Sequence, residues 1–135
     1  MGQSGVILLD THVALWLALE PEKLSATARA AIDQQRKNGE GLAICDITLA
    51  ELAAIYGKRR FTLTVPLDTF LEETQSRFTV FPIEARACAR TVTLPASYPR
   101  DPADRIIGAT ALVQGLPLVT ADRAIRRSKV LHTIW

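Results

Sequence analysis

Five short apolar runs recur along the chain, and a segment with helical spacing separates each run from the next. Apolar runs of this length are typical of strands that are buried on both faces of a parallel sheet. Parallel neighbours need a crossover connection, so strands that alternate with helices predict a parallel sheet with helices on both sides. The expected fold is an α/β domain with three αβα layers. Its predicted strands are residues 6–10, 42–45, 79–83, 117–120 and 130–134.

The segments between the strands carry helix start and stop signals. Ser25 is a predicted N-cap, and Gly39 follows the end of the same helical segment. Asp101 followed by Pro102 predicts the start of another helix, which Gly115 ends. With their caps included, the predicted helices span residues 11–19, 25–39, 46–60, 66–78, 84–92, 101–114 and 122–128.

Size and composition limit the classes of protein that this chain could be. Its 135 residues, of which 48% are hydrophobic and 22% charged, suffice for one domain with a core, residues 1–135. No run approaches the roughly eighteen apolar residues of a membrane span, and the N-terminal residues lack the pattern of a signal peptide. The two cysteines and two histidines have no zinc-ligand spacing. We expect a cytoplasmic protein that does not enter a membrane.

Four acidic residues lie where a ligand site of such a sheet is expected. Sites in open parallel sheets lie beyond the carboxyl ends of the strands, near the switch point in strand order. Asp10 closes the first predicted strand, Glu51 lies early in the helix after the second, and Asp122 follows the fourth. Asp104 precedes the fourth strand, so its presence at this edge requires that the segment after the third strand return there.

Each acid also has a purely structural interpretation, because carboxylates are common helix caps. Asp10, Asp101 and Asp122 could each cap the helix that follows. Thr48 and Glu51 match the Thr-x-x-Glu capping box. Capping does not explain four acids at one edge, however, since clustered carboxylates repel one another unless a cation neutralises them. We therefore predict an oxygen-ligand site for Mg²⁺ or Mn²⁺ and assign Asp101 to the cap and Asp104 to the site.

Four segments in order, "LLDTHVALWLAL", "ITLAEL", "DPADRIIGATAL" and "LVTADRAI", resemble the PIN-domain ribonucleases, in particular the VapC toxins of bacterial toxin–antitoxin pairs. The resemblance implies a five-stranded parallel sheet and cleavage of RNA with Mg²⁺ or Mn²⁺ to leave a 5′-phosphate. It also implies a homodimer and a small cognate antitoxin that blocks the acidic site. Its implied catalytic acids are Asp10, Glu51, Asp104 and Asp122, of which Glu51 binds the metal directly or through water, with Thr48 and Thr120 in support.

Two positions depart from the family pattern. Cys45 occupies a position where members often have Ser, and Pro99 a position where they often have His. Neither departure removes a predicted metal ligand. Both bear on the surroundings of the site and on the choice of substrate.

Two basic clusters flank the predicted site, although the formal net charge is only +2. They could contact RNA phosphates, or they could simply be solvated helix ends. We expect His12 to be a packed or hydrogen-bonded helix residue, Trp16 to belong to the core or to face a partner chain, and Arg105 to pair with a neighbouring acid. The clusters comprise Lys58, Arg59 and Arg60, and Arg123, Arg126, Arg127 and Lys129.

Three other functions are alternatives to an RNA nuclease. A phosphoryl-accepting receiver domain has a similar acidic pocket, but it needs a lysine after its last strands, and none is present in "LVTAD" or "VLHTI". A nucleotide-binding module needs a glycine-rich phosphate loop after the first strand, which is also missing. A DNA nuclease with the same acids is an alternative that the sequence does not exclude.

Overall fold

The computed structural model describes residues 5–135 and contains a wholly parallel five-stranded sheet. Its strand order is β3-β2-β1-β4-β5, so the first strand is central. Every strand lies inside a predicted one, which confirms the predicted sheet, although most strands are shorter than expected. Pro82 ends β3 early because proline has no N–H for the ladder. The strands are β1 (Ile7–Leu9), β2 (Leu42–Cys45), β3 (Thr79–Phe81), β4 (Leu118–Val119) and β5 (Thr133–Ile134).

The helices begin and end largely where the sequence predicts. The Ser25 hydroxyl accepts a hydrogen bond from Ala28 N at 3.0 Å, and Gly115 ends its helix in the left-handed conformation with φ 67°. The third helix was predicted to reach Arg60 but ends at Gly57. Between residues 5 and 135 the α-helices are α1 (Thr11–Leu19), α2 (Ala26–Lys37), α3 (Ile47–Gly57), α4 (Leu67–Arg77), α5 (Ala85–Thr91), α6 (Pro102–Gln114) and α7 (Arg123–Ser128).

The sheet is covered on both faces, as its uniformly apolar strands predicted. Successive residues of a strand point to opposite faces, so Leu8 packs in one core while Ile7 and Leu9 pack in the other. Leu118 and Val119 of β4 are divided in the same way. This arrangement confirms the three αβα layers. No helix in the described part of the chain combines the length and apolar character needed to cross a bilayer.

The topology explains how Asp104 reaches the site edge. In a parallel sheet, a helix that leads into a strand runs back against the strand direction, so it starts at the carboxyl edge. Helix α6 leads into β4, which pairs directly with β1. The start of α6 therefore lies beside the end of β1. The chain crosses from β1 to β2 on one side and returns to β4 on the other, which makes β1 and β4 the switch point.

Candidate active site

A cavity of about 230 Å³ at the carboxyl edge of the sheet is lined by all four acids proposed from the sequence. They come from four different elements, and the strand order brings them together. The aromatic residues His12 and Trp16 complete one side of the cavity. The acids that line it are Asp10, Glu51, Asp104 and Asp122.

Asp10 is fixed by hydrogen bonds to both of its carboxylate oxygens. Oδ1 accepts from Thr11 N at 3.0 Å, which is the predicted cap of α1. Oδ2 accepts from the hydroxyl of Thr120 at 2.6 Å. Burial raises the pKa of Asp10, and the hydrogen bonds from Thr120 and Thr11 oppose that rise only in part. The carboxylate of Asp10 is therefore partly buried and held in a fixed orientation.

Glu51 does not form the capping box that its spacing with Thr48 suggested. Helix α3 already begins at Ile47, so Thr48 lies inside the helix. Glu51 Oε1 instead accepts a hydrogen bond from the hydroxyl of Thr11 at 2.5 Å. The fully buried Thr48 hydroxyl lies 3.0 Å from that same Thr11 hydroxyl, so its support reaches Glu51 through Thr11. Burial raises the pKa of Glu51, and the charges of Asp10 and Asp101 raise it further.

Asp101 is both a helix cap and a member of the acidic group. Its Oδ1 accepts a hydrogen bond from Asp104 N at 3.1 Å, as predicted for an N-cap. One carboxylate oxygen from each of Asp101, Asp104 and Glu51 lies within 4.8 Å of the others. The sequence assigned Asp101 to the cap alone, so its closeness to the site is a finding of the structure.

Asp104 is a carboxylate whose pKa lies well above its ordinary range. Burial raises its pKa to about 7, and the charges of Asp10, Asp101 and Glu51 contribute to the rise. In the described residues 5–135, the ion pairs join Lys23 to Glu20 and Arg86 to Glu84, and neither pair involves an acid of the cavity. Within these residues, no lysine or arginine therefore forms an ion pair with the acids of the cavity.

Asp122 also combines a cap with a place in the cavity. Its Oδ1 accepts from Ile125 N at 3.0 Å, and its own N–H donates to the Thr120 hydroxyl at 3.1 Å. Thr120 therefore links Asp122 to Asp10. Asp122 can therefore act as a cap and line the cavity at the same time, so the two interpretations of this residue do not exclude each other.

Tyr98 supports Asp104 from behind, and sequence reasoning missed it. Its buried hydroxyl donates to the backbone carbonyl of Asp104 at 3.0 Å. A side chain at Gly108 would overlap that hydroxyl, so glycine is needed there. Arg105 was expected to pair with an acid, but its guanidinium donates to the backbone carbonyls of Thr91 and Tyr98. These contacts fix the loop that leads into α6.

Several other predicted residues take different places. Cys45 is buried in the core, where its sulfur lies 3.8 Å from the Thr110 hydroxyl, so it does not line the cavity. His12 was expected to be packed or hydrogen-bonded, but it is exposed and lines the acidic cavity. Trp16 is half-buried and packs partly against the core, as expected.

The two basic clusters lie differently with respect to the acids. Lys58 and Arg60 line a groove that shares His12 and Trp16 with the acidic cavity, whereas Arg59 lines a separate depression. All members are exposed. The second cluster forms a basic concavity of about 510 Å³, lined by Arg123, Arg126, Arg127 and Lys129.

The donor set fits a hard divalent cation. The site offers carboxylate oxygens without a thiolate, and such oxygens are the ligands that Mg²⁺ and Mn²⁺ prefer. A bound cation would also relieve the repulsion that, in addition to burial, raises the pKa of Asp104. The chemistry of the residues present therefore supports a metal centre.

Comparison with known proteins gives the family of the chain. The family model for the PIN domain matches residues 7–131. Ribonuclease VapC22 of Mycobacterium tuberculosis (strain ATCC 25618 / H37Rv) is 39% identical over 131 residues, which cover 96% of this chain and 98% of that protein.

Solved structures with the same fold include two bacterial complexes. VapBC2 from Rickettsia felis, bound to a promoter DNA fragment, has a TM-score of 0.70 at 20% identity and covers 95% of this chain and 96% of its own. DNA-bound VapBC from Salmonella typhimurium has a TM-score of 0.69 at 23% identity, with 94% and 95% covered. These likenesses support the fold, while the family match and the 39% identical relative carry the assignment. This chain belongs to the PIN-domain family.

Proposed function

We propose that this protein is a divalent-metal-dependent endoribonuclease and the toxin of a type II toxin–antitoxin pair. The observation that carries the proposal is the cavity in which four acids from separate elements meet. The 39% identity with a ribonuclease over nearly the whole chain supports RNA as the substrate. The VapBC complexes among the structural neighbours support the choice of an antitoxin as the partner.

Asp10, Asp104 and Asp122 would hold Mg²⁺ or Mn²⁺, and Glu51 would bind directly or through water. When bound, such an ion supplies a water of lowered pKa and polarises the phosphate. Glu51 is held by the Thr11 hydroxyl and has a raised pKa, both of which suit a carboxylate that accepts a proton from the attacking water. In-line attack would leave a 5′-phosphate and a 3′-hydroxyl.

The remaining parts of the proposal concern binding and location. The exposed Arg59, Arg60, Arg123, Arg126 and Arg127 would contact the phosphates of RNA. We further propose a homodimer and a cytoplasmic location, where the free Cys45 and Cys88 would stay reduced.

Removal of the metal should stop cleavage. Purified protein is expected to cleave single-stranded RNA with Mg²⁺ or Mn²⁺ and to lose this activity in excess chelator, because the acids alone cannot activate water at neutral pH. Matched RNA and DNA strands of the same sequence should be compared on denaturing gels, with Asp104→Asn as the control for contaminating nucleases. Cleavage that persists in chelator argues against the metal mechanism, and preferential cleavage of DNA favours a DNA nuclease.

Loss of Arg126 and Arg127 should weaken RNA binding and its salt dependence. Each phosphate contact on a single strand contributes about 0.7 to the slope of log affinity against log salt, so two lost contacts should lower the slope by about 1.4. The double change to Ala can be measured by fluorescence anisotropy. Arg36 and Lys37 are a matched control, because they end α2 at the opposite edge of the sheet. Equal slopes for both double variants would mean that the α7 cluster is only a solvated surface.

A further inference from the structure

Trp16 lies between the acidic cavity and a second groove beside it. The second groove has a volume of about 360 Å³ and runs between α1 and the end of α3. His12 and Trp16 line both depressions, so the two form one continuous surface. A ligand bound over the acids would therefore extend across the indole into the groove.

The indole of Trp16 is held in place from behind. Its ring centroid lies 5.9 Å from that of Trp135, with the two planes tilted by 51°. Both tryptophans pack against the same core cluster, and both are half-buried. The His12 ring lies 5.9 Å away along α1. A ring fixed by packing loses little freedom when a flat ligand stacks on it, so it is a favourable binding platform.

Charge distinguishes the far end of the groove from the acidic cavity. Lys58 and Arg60 line the groove and are exposed, and within residues 5–135 neither is in an ion pair. Glu20, which also lines it, is paired with Lys23 at 3.1 Å. The groove therefore presents two uncompensated positive charges next to an aromatic surface. Single-stranded nucleic acid presents the complementary pattern of flat bases and regularly spaced phosphates.

We propose that Trp16 is a stacking site for a nucleobase next to the cleaved phosphodiester, with Lys58 and Arg60 binding the adjoining phosphate. The proposal rests on the ribonuclease function proposed above. Every base has a π face, so stacking of this kind accepts any base but requires that the base be unpaired. Trp16 would then select single-stranded or looped RNA at the site of cleavage and leave the choice of sequence to other contacts.

The test measures binding without cleavage. In the Asp104→Asn protein with chelator, a fluorescein-labelled single-stranded RNA of eight nucleotides should stay intact, and its affinity can be read by anisotropy. Trp16→Leu should weaken binding by about 5- to 150-fold, the range that a lost base–aromatic stack gives, whereas Trp16→Phe should retain most of the affinity. Leu19→Ala is the matched control, because Leu19 is exposed on the same helix and lies outside both depressions.

An abasic scan makes the test independent of any effect of Trp16 on folding. Strands that lack one base at each position in turn are bound to the protein that keeps Trp16. At one position the missing base should lower the affinity as much as Trp16→Leu lowers it for the intact strand. Trp16→Leu should cause no further loss of affinity for that abasic strand, because the two changes remove the same contact.

Unchanged affinity of Trp16→Leu, together with normal RNA cleavage by the wild-type chain, overturns the stacking site and leaves the nuclease function intact. In that case the exposed part of the Trp16 indole would be a contact surface for a protein partner and not for RNA. A wild-type chain that neither binds nor cleaves RNA overturns the proposed function and the stacking site with it.

Discussion

Replacement of Asp104 by Asn should lower RNA cleavage by at least about 100-fold, since even residues that only support metal ligands typically account for 10–100-fold. An amide lacks the charge that holds a divalent cation. The fold should survive, because the Asp104 backbone groups that bond to Asp101 and Tyr98 are unchanged. Single-turnover cleavage and a melting curve on the same preparation give the two readouts.

Two changes at Asp101 provide the comparison. Asp101→Ala removes the cap and should destabilise the protein by about 0.5–2 kcal/mol while leaving much of the activity. Asp101→Asn keeps a good capping side chain and removes only the charge, so its stability should match that of the parent. If Asp101→Asn abolishes cleavage as fully as Asp104→Asn, then Asp101 is a metal ligand and the assignment of the two acids is wrong.

The metal-free protein should become less stable as the pH rises from about 4 to about 7. The pKa of Asp104 is raised from 3.8 to about 7 in the fold, so in this interval the folded state keeps a proton that the unfolded state has lost. Stability falls with pH wherever the folded state binds more protons. The raised pKa values of Asp10 and Glu51 act in the same direction.

The rise in the pKa of Asp104 corresponds in full to about 4 kcal/mol, and partial solvent exposure reduces the expected effect to about 2 kcal/mol. For a chain of this size that is roughly 5–10 °C in melting temperature. Melting curves in chelator between pH 4 and pH 8 measure this loss of stability, and added Mg²⁺ or Mn²⁺ should recover it at neutral pH. Asp104→Asn should flatten the profile; an identical slope in that variant would contradict the raised pKa.

Local sequence patterns predicted the elements and the edge of the sheet at which the acids lie. Asp10 and Asp122 were found because each lies at or just after the end of a strand, whereas Thr120 was implied only by the family resemblance. The link from Thr11 to Glu51 was not predictable, since these residues are 40 positions apart and no local pattern relates them. The Thr-x-x-Glu spacing suggested a capping box at Thr48, but no such box forms, because the helix already starts at Ile47, one residue earlier.

Long-range contacts also explain the other misses. The Tyr98 hydroxyl reaches the Asp104 backbone only because glycine at position 108 leaves room for it. Arg105 looked like an ion-pair partner from its neighbours, yet it stabilises a loop through backbone carbonyls. In both cases the decisive partner is main chain, whose position depends on the fold and not on the identity of nearby side chains.

Two acids that line the cavity, Asp10 and Asp122, are also the N-caps of α1 and α7, and Asp101 beside them is the N-cap of α6. Each therefore has one oxygen tied to a backbone amide of a helix that is itself packed on the sheet. The positions of Asp10 and Asp122 follow from the main chain, so an arriving ion would find these two carboxylates already in place and would not have to order them. A protein built in this way can be stored fully folded while inactive. Its regulation would then depend on the access of metal and substrate to the cavity. A partner that covers the opening would keep the folded protein inactive, and activity would return as soon as that partner dissociates.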